Sequence, residues 1–184
     1  DYYDEGQRVT GEWFGLGAQR LGLSGPVRAA DFLPLCENKH PQTAVTLTQR
    51  QNTTRSDDGH TVANRRVFYD FTVSPPKSVS LVAMLGGDER VLAAHERAVR
   101  AMLGEFEAFT STRIRASGQQ SDRLTENFAA ALFTHDTSRA LDPHLHTHCI
   151  VFNATFDAVE QRWKALQNHA LLRARKFAEN AYYH

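Results

Sequence analysis

"NFAAALFTHDTSRALDPHLHTHCIVF", residues 127–152, holds two apolar stretches joined by a polar one. "NFAAALFTH" and "HLHTHCIVFNATF" have the composition of strands. The Asp, Ser and Pro of "DTSRALDP" favour a turn between them, so the two read as neighbours in an antiparallel sheet. Side chains alternate along a strand. His144, His146 and His148 therefore share a face that Ile150 and Phe152 continue into a core, while Leu145, Thr147, Cys149 and Val151 cover the other. A strand apolar on both sides has no reason to carry imidazoles at one end unless something satisfies them there. A metal ion does so, because it takes neutral nitrogen lone pairs converging from adjacent positions. The plainer alternative is a polar strand end with solvated histidines. Same-face neighbours lie about 6.6 Å apart at Cα, so two chelate one ion easily and a third in line must reach further. A ligand from the adjacent strand completes a site better, and His135, closing "AAALFTH", is the candidate. Periodicity leaves open which of these nitrogens bind.

A third strand lies upstream. In "RVFYDFTVS", Val67, Tyr69, Phe71 and Val73 share one face, and Phe68, Asp70 and Thr72 the other. A carboxylate at Asp70 either faces solvent or needs a partner, given the cost of burying an unpaired charge. With a partner, it orients a ligand imidazole through the second ring nitrogen or accepts a proton from a nucleophile. Ser74 and Pro75 then read as a helix start, continued by "PPKSVSLVAML" to Gly86 and Gly87. From Asp88, Val91, Leu92, Val99, Met102, Leu103 and Phe106 recur at helical spacing, giving a long amphipathic helix.

The flanks are less regular. "GEWFGLGAQRLGLSG" reads as a short helix ended at Gly22 or Gly25, and "RAADFLPLCENK" as a helical piece broken at Pro34. Residues 44 to 66 read as a strand fragment and a mobile loop, and "TSTRIRASGQQSDR" as a solvated loop carrying Arg113, Arg115 and Arg123. "QRWKAL" is one more strand candidate, and "ALLRARKFAENAYYH" a closing helix. Helices gathered between hairpin-like regions give an α+β class with a mostly antiparallel sheet.

The chain is 184 residues long and 41% hydrophobic, enough for one domain with a real core. Lys plus Arg equal Asp plus Glu at 21 each, so bulk charge announces no polyanionic partner, and any such surface must be local. No apolar run approaches the roughly 18 residues of a membrane span and no leader opens the chain, which leads us to expect a cytoplasmic protein. Cys36 and Cys149 form no CxxC pair, which argues against a disulfide framework or a cysteine zinc site. "DYYDEG" and "ENAYYH" read as cut ends of a longer protein.

Together, "DYY", "GLGAQRLGLSG", "DFTVSPPKSVSL", "HDTSRALDPHLHTHCIVFN" and "WKAL" resemble the relaxase domain of helicase-linked conjugative relaxases, within the HUH endonucleases. The resemblance spans nearly all of residues 1–184, as one domain. It implies a palm-like antiparallel sheet flanked by helices, and nicking of one DNA strand at a transfer origin through a tyrosine that becomes joined to the 5′ phosphate. The family's metal ligands fall on His135, His146 and His148, its aspartate on Asp70, and its nucleophile on the pair Tyr2 and Tyr3, with Tyr2 first. His144 falls on a non-ligand position. Many such relaxases hold two tyrosine clusters where this chain shows one, so the primary nucleophile is either Tyr2 or a tyrosine upstream of Asp1. The implied cofactor is a divalent ion, magnesium or manganese first, although three imidazoles suit zinc, copper or nickel better. The implied partners are single-stranded DNA at the transfer origin, accessory relaxosome proteins, a coupling protein and a C-terminal helicase domain, around a monomeric enzyme.

Local cations and aromatics would hold the DNA: Lys77, Arg65, Arg66, Arg113 and Arg115 on phosphates, Trp13 and Phe14 on bases. Three rival readings stand beside this. "SPPK", Ser74 to Lys77, fits the SxxK of penicillin-recognising acyl enzymes but has no KTG-like partner. A metal hydrolase would cut phosphodiesters by activated water without a covalent adduct. A DNA-binding module with a vestigial metal site would do neither.

Overall fold

The computed structural model describes residues 10–49, 54–57, 60–63, 66–116, 118–138 and 140–183. Its centre is the pair anticipated above, β7 (Ala130–Thr137) and β8 (Pro143–Phe152), antiparallel with His135 opposite His146 and Ala131 opposite Ile150. β1 (Glu12–Phe14) extends the sheet beyond β7, and β4 (Phe68–Val73) beyond β8, giving the antiparallel order β1-β7-β8-β4. The α+β class therefore holds.

Alternation divides the core in two. On one face, Ala130, Leu132, Cys149 and Val151 pack against Val99, Met102, Leu103 and Phe106 of α4 (Glu89–Glu107) and Leu171, Ala174 and Ala178 of α5 (Asn168–Tyr183). On the other, Trp13, Ala131 and Phe152 pack against Ala18 of α1 (Leu16–Arg20), Leu21 just after it, and Leu35 of α2 (Ala29–Cys36). This second cluster covers only the Phe152 end of β8. Phe152 is 1% exposed, and its truncation to Ala would cost roughly 3–5 kcal/mol. The histidine end of that face is half-buried and faces outward. Cys149 is packing, as its strand position implies: it is fully buried, and burial pushes its thiol up to about 12.

Several local expectations are corrected. Pro34 lies inside α2 and does not break it, because Leu35, 2% exposed, anchors that turn in the core at the cost of one backbone bond. "GEWFGLGAQRLGLSG" splits into β1 and α1. The helix ends at Gly22, whose φ of 73° allows Gly22 N to donate to the Gln19 carbonyl and Leu23 N to the Ala18 carbonyl. Ser74 caps nothing. Pro76, with ψ 149°, keeps the backbone extended, so α3 (Lys77–Leu85) starts at Lys77.

The two expected loops contain hairpins. β2 (Thr54–Asp57) pairs with β3 (His60–Ala63), and β5 (Ser111–Ala116) with β6 (Gln119–Leu124). The Ala44, Val45 and Leu47 fragment makes only an isolated bridge, Lys39 to Thr46. β8 stops at Phe152 because the Asn153 amide takes over the ladder's role, donating to the Arg66 carbonyl at 2.9 Å and accepting from Leu166 N at 3.0 Å. The chain then forms β9 (Thr155–Asp157) and β10 (Arg162–Lys164), a small antiparallel pair that includes part of "QRWKAL".

Candidate metal centre and nucleic-acid interface

Cross-strand pairing brings the proposed ligands together. His135 and His146 face each other across β7 and β8, and Phe133 pairs with His148 one step further in. The ring centroids lie 5.2 Å (His135–His146), 5.6 Å (His135–His148) and 5.2 Å (His146–His148) apart. An imidazole bound through nitrogen at about 2.1 Å has its centroid about 3.2 Å from the ion, which puts tetrahedrally disposed rings about 5.2 Å apart. The spacing fits one ion. Ring orientation is not yet closed. His135 and His146 are stacked with planes 18° apart, and no group of three His, Cys, Asp or Glu among the described residues already forms a metal-binding arrangement. Turning the rings about their side-chain torsions is what closure requires.

The surroundings favour neutral rings that present a lone pair. Burial, then the neighbouring imidazoles, lowers the pKa of His135 below the ordinary value; for His146 burial is again the largest cause. Asp70 is diagonal to His148, since it pairs with Ile150 while Thr72 pairs with His148. Its carboxylate oxygens lie 3.0 and 3.1 Å from His148 Nδ1, with Thr72 Oγ1 at 3.3 Å. With Nδ1–H donated to the carboxylate, the lone pair of that ring is on Nε2, the tautomer of a ligand held from behind. His146 Nδ1 lies 2.8 Å from its neighbour's carbonyl, His144 O, which sets the same tautomer. His144 itself stacks on His146 at 4.7 Å and stands beside the cluster of three. Lys77, the first residue of α3, donates from Nζ to the Pro143 carbonyl at 2.5 Å, at the mouth of this strand end.

A second feature lies past the other end of β8. Arg66, Tyr69, Arg113, Arg115, Asn153, Arg162, Trp163 and Lys164 line a cavity of about 780 Å³. The Arg66 guanidinium lies 5.2 Å from the centroid of the Tyr69 ring, and Gln167, with its amide oxygen turned to Arg113, accepts from Arg113 Nε at 2.8 Å. Arg162 and Lys164 pair with Glu160 at 2.5 and 2.6 Å, so much of their charge is compensated. The excess positive charge comes from Arg66, Arg113 and Arg115. Arg162, Trp163 and Lys164 were not among the sequence candidates, although the R-W-K alternation puts the two cations on one face of β10.

Trp13 and Phe14 are corrected as base-stacking candidates. Trp13 is 6% exposed within the core beside Phe32 and Phe152, and Phe14 is packed against Phe128. Arg123 is committed to the buried Asp157 carboxylate at 2.8 Å. Tyr2, Tyr3 and Arg65 lie outside the described residues. Among the described residues no helix is long and apolar enough to cross a membrane.

The chain is similar to known proteins over nearly its whole length. A family model described as the TrwC relaxase matches residues 1–184. The multifunctional conjugation protein TraI of Escherichia coli K12 is 43% identical over 171 residues, which is 92% of this chain and 9% of that protein. The chain thus spans about a tenth of that curated relative. Among solved structures, conjugative relaxase TrwC in complex with oriT DNA in a metal-bound state superposes with a TM-score of 0.84 at 33% identity, covering 98% of this chain and 61% of that one. A copper-bound structure of TrwC with oriT DNA gives 0.81 at 34% identity, covering 99% and 59%.

Proposed function

Because the chain belongs to the TrwC relaxase family, we propose that it is a site- and strand-specific single-stranded DNA endonuclease and strand transferase that nicks a transfer origin to begin conjugative transfer. The observation that carries this reading is the meeting of His135, His146 and His148 across β7 and β8, with Asp70 behind His148. The proposed nucleophile is Tyr2, with Tyr3 beside it. A phenol has a pKa near 10 and attacks poorly at neutral pH unless its proton is drawn off and the phosphate is prepared for it. A divalent cation held by the three imidazoles, magnesium or manganese first, would align the scissile phosphate and offset the charge that builds on its oxygens. Asp70 keeps the His148 ring in the tautomer and orientation that this requires.

The attack exchanges a phosphodiester for a phosphotyrosyl ester and a free 3′ hydroxyl. Bond types are conserved, so a 3′ hydroxyl reverses the step without a nucleotide cofactor. Arg66, Arg113 and Arg115, with Arg65 and Lys77, are assigned to DNA phosphates. We place this domain within a longer cytoplasmic protein carrying a helicase, working beside accessory relaxosome proteins and a coupling protein. The length of TraI relative to this chain supports that extension.

The test is incubation of the protein with end-labelled single-stranded DNA bearing its transfer origin and Mn²⁺, followed by a denaturing gel. Relaxase chemistry gives a covalent adduct that disappears in Tyr2→Phe and in His146→Ala. Cut DNA without an adduct would indicate a metal hydrolase, and binding alone a module without chemistry. An adduct that survives Tyr2→Phe but not Tyr3→Phe would move the nucleophile by one residue.

A further inference from the structure

On the helix face of the sheet, directly beneath the histidine cluster, lies a buried polar chain that the proposed reaction does not use. His95 of α4 is 4% exposed. Its Nδ1 lies 2.7 Å from the Tyr182 hydroxyl of α5, and its Nε2 lies 2.9 Å from Thr147 Oγ1. Thr147 Oγ1 is in turn 2.9 Å from Thr134 Oγ1. Thr147 stands between His146 and His148 on β8, Thr134 precedes His135 on β7, and the two threonines are direct cross-strand partners. A single thread of hydrogen bonds thus ends beside every proposed ligand.

Burial pushes His95 down to about 4 and Tyr182 up to about 12, so near neutral pH the imidazole is uncharged and the phenol keeps its proton. A neutral imidazole has one donor and one acceptor nitrogen. With the phenol donating to Nδ1, Nε2–H donating to Thr147 and Thr147 donating to Thr134, or with all three reversed, no buried member is left unsatisfied.

The position of the thread gives it a task. The β7–β8 register shifts between His135 and Thr137, one pair beyond Thr134–Thr147 and directly after His135–His146. Register is least secure beside such an irregularity, and a slip of one residue sends every side chain to the opposite face. We propose that His95 is a positioning residue for the metal centre: through Thr147 and Thr134 it pins the β7–β8 ladder one step before its last regular pair, His135 with His146, and so sets where His135, His146 and His148 present their rings. This rests on the metal reading above.

The test uses His95→Ala, His95→Gln and Thr147→Val in the full chain. It measures Mn²⁺ affinity by the loss of the free-ion electron paramagnetic resonance signal, thermal unfolding by circular dichroism, and imidazole resonances of the metal-free protein. Removing partners that orient ligands costs about ten- to a hundredfold in metal affinity. We expect a loss of about tenfold in folded His95→Ala and Thr147→Val, recovery in His95→Gln, whose amide can bond both neighbours, and shifted His135, His146 and His148 resonances before any metal is added. Thr147→Val preserves shape and decides the matter if His95→Ala does not fold. Folded variants with native affinity and native ring spectra would overturn the proposal. If the native protein bound no Mn²⁺, the metal reading would fall, and unchanged ring spectra in the variants would then separately overturn the positioning role.

Discussion

One end of β8 gathers imidazole rings and the other borders fixed positive charge. His146 and Asn153 are seven residues apart on this stretch, roughly 23 Å at strand spacing. At the first end the imidazoles are half-buried, with His135 and His146 lowered in pKa by burial and Asp70 bonded to His148. At the second, Arg66, Arg113 and Arg115 line an open cavity beside Tyr69 and Trp163. A guanidinium stays charged at every physiological pH and holds phosphate by charge and geometry. An imidazole holds a cation only while unprotonated. On the proposed reading, the two ends of one strand border a site for chemistry and a site for grip, far enough apart to be damaged separately.

The largest effect should come from His146→Ala. We expect adduct formation at saturating DNA and Mn²⁺ to fall about 10³-fold, the scale of charge stabilisation by a bound cation. DNA affinity by fluorescence anisotropy should stay within about threefold, since sites this far apart act nearly independently. A parallel collapse of binding would break the two-site picture.

Acid should act most strongly at the histidine end. His95 has a folded pKa of about 4, below the ordinary 6.5, so the unfolded chain binds the extra proton first. Its contribution to stability is complete above pH 6.5 and is lost as pH falls from there to about 4, by roughly 3 kcal/mol for this one group. His135 and His146, also lowered, add in the same direction. Urea unfolding of the metal-free protein from pH 7 to 4 measures this, and a flat profile would contradict the burial of His95. At the cavity the guanidiniums stay charged over that range, and the Glu160 carboxyl, held below its ordinary value by Lys164 and Arg162, adds a loss only towards the acid end.

The same contrast governs what the sequence disclosed. The β7–β8 pair and its face assignment were legible because two apolar stretches flank a turn-favouring segment and the histidines at 144, 146 and 148 recur at every second position. Asp70 was legible only as a choice of roles, since its reach to His148 depends on pairing with Ile150, and register between distant strands leaves no local mark. The β5–β6 hairpin was read as a loop because it is polar on both faces and has no core-directed alternation; Gly118, at φ 76°, was the signal available. His95 was passed over although it falls on the Leu92, Val99 and Met102 stripe of α4, where a polar residue implies a buried partner. That partner, Thr147, lies 52 residues away in sequence and becomes evident only in the folded chain.

Two further substitutions sharpen the division. Asp70→Asn keeps the shape but offers His148 Nδ1 a neutral partner, and we expect about ten- to a hundredfold weaker Mn²⁺ binding or slower nicking with DNA affinity intact. Added Mn²⁺ should restore much of the rate if the loss is in affinity. An unchanged Mn²⁺ titration would remove Asp70 from its orienting role.

The smallest effect, and the most discriminating for the basic cavity, is the pair Arg113→Ala and Arg115→Ala. If both neutralise phosphates, the slope of log affinity against log salt should fall by about 0.7 per contact on single-stranded DNA, and affinity near 0.1 M salt by up to about tenfold. Single-turnover nicking at saturating DNA should not change. Replacing both residues by Lys keeps the charge and forfeits the planar fork that Gln167 holds at Arg113. A restored salt slope with affinity still reduced would mean that the cavity recognises phosphate geometry as well as charge. Full restoration would mean that charge alone suffices. A slope that none of these substitutions moves would place the DNA on another surface, and the far end of β8 would then serve the fold alone.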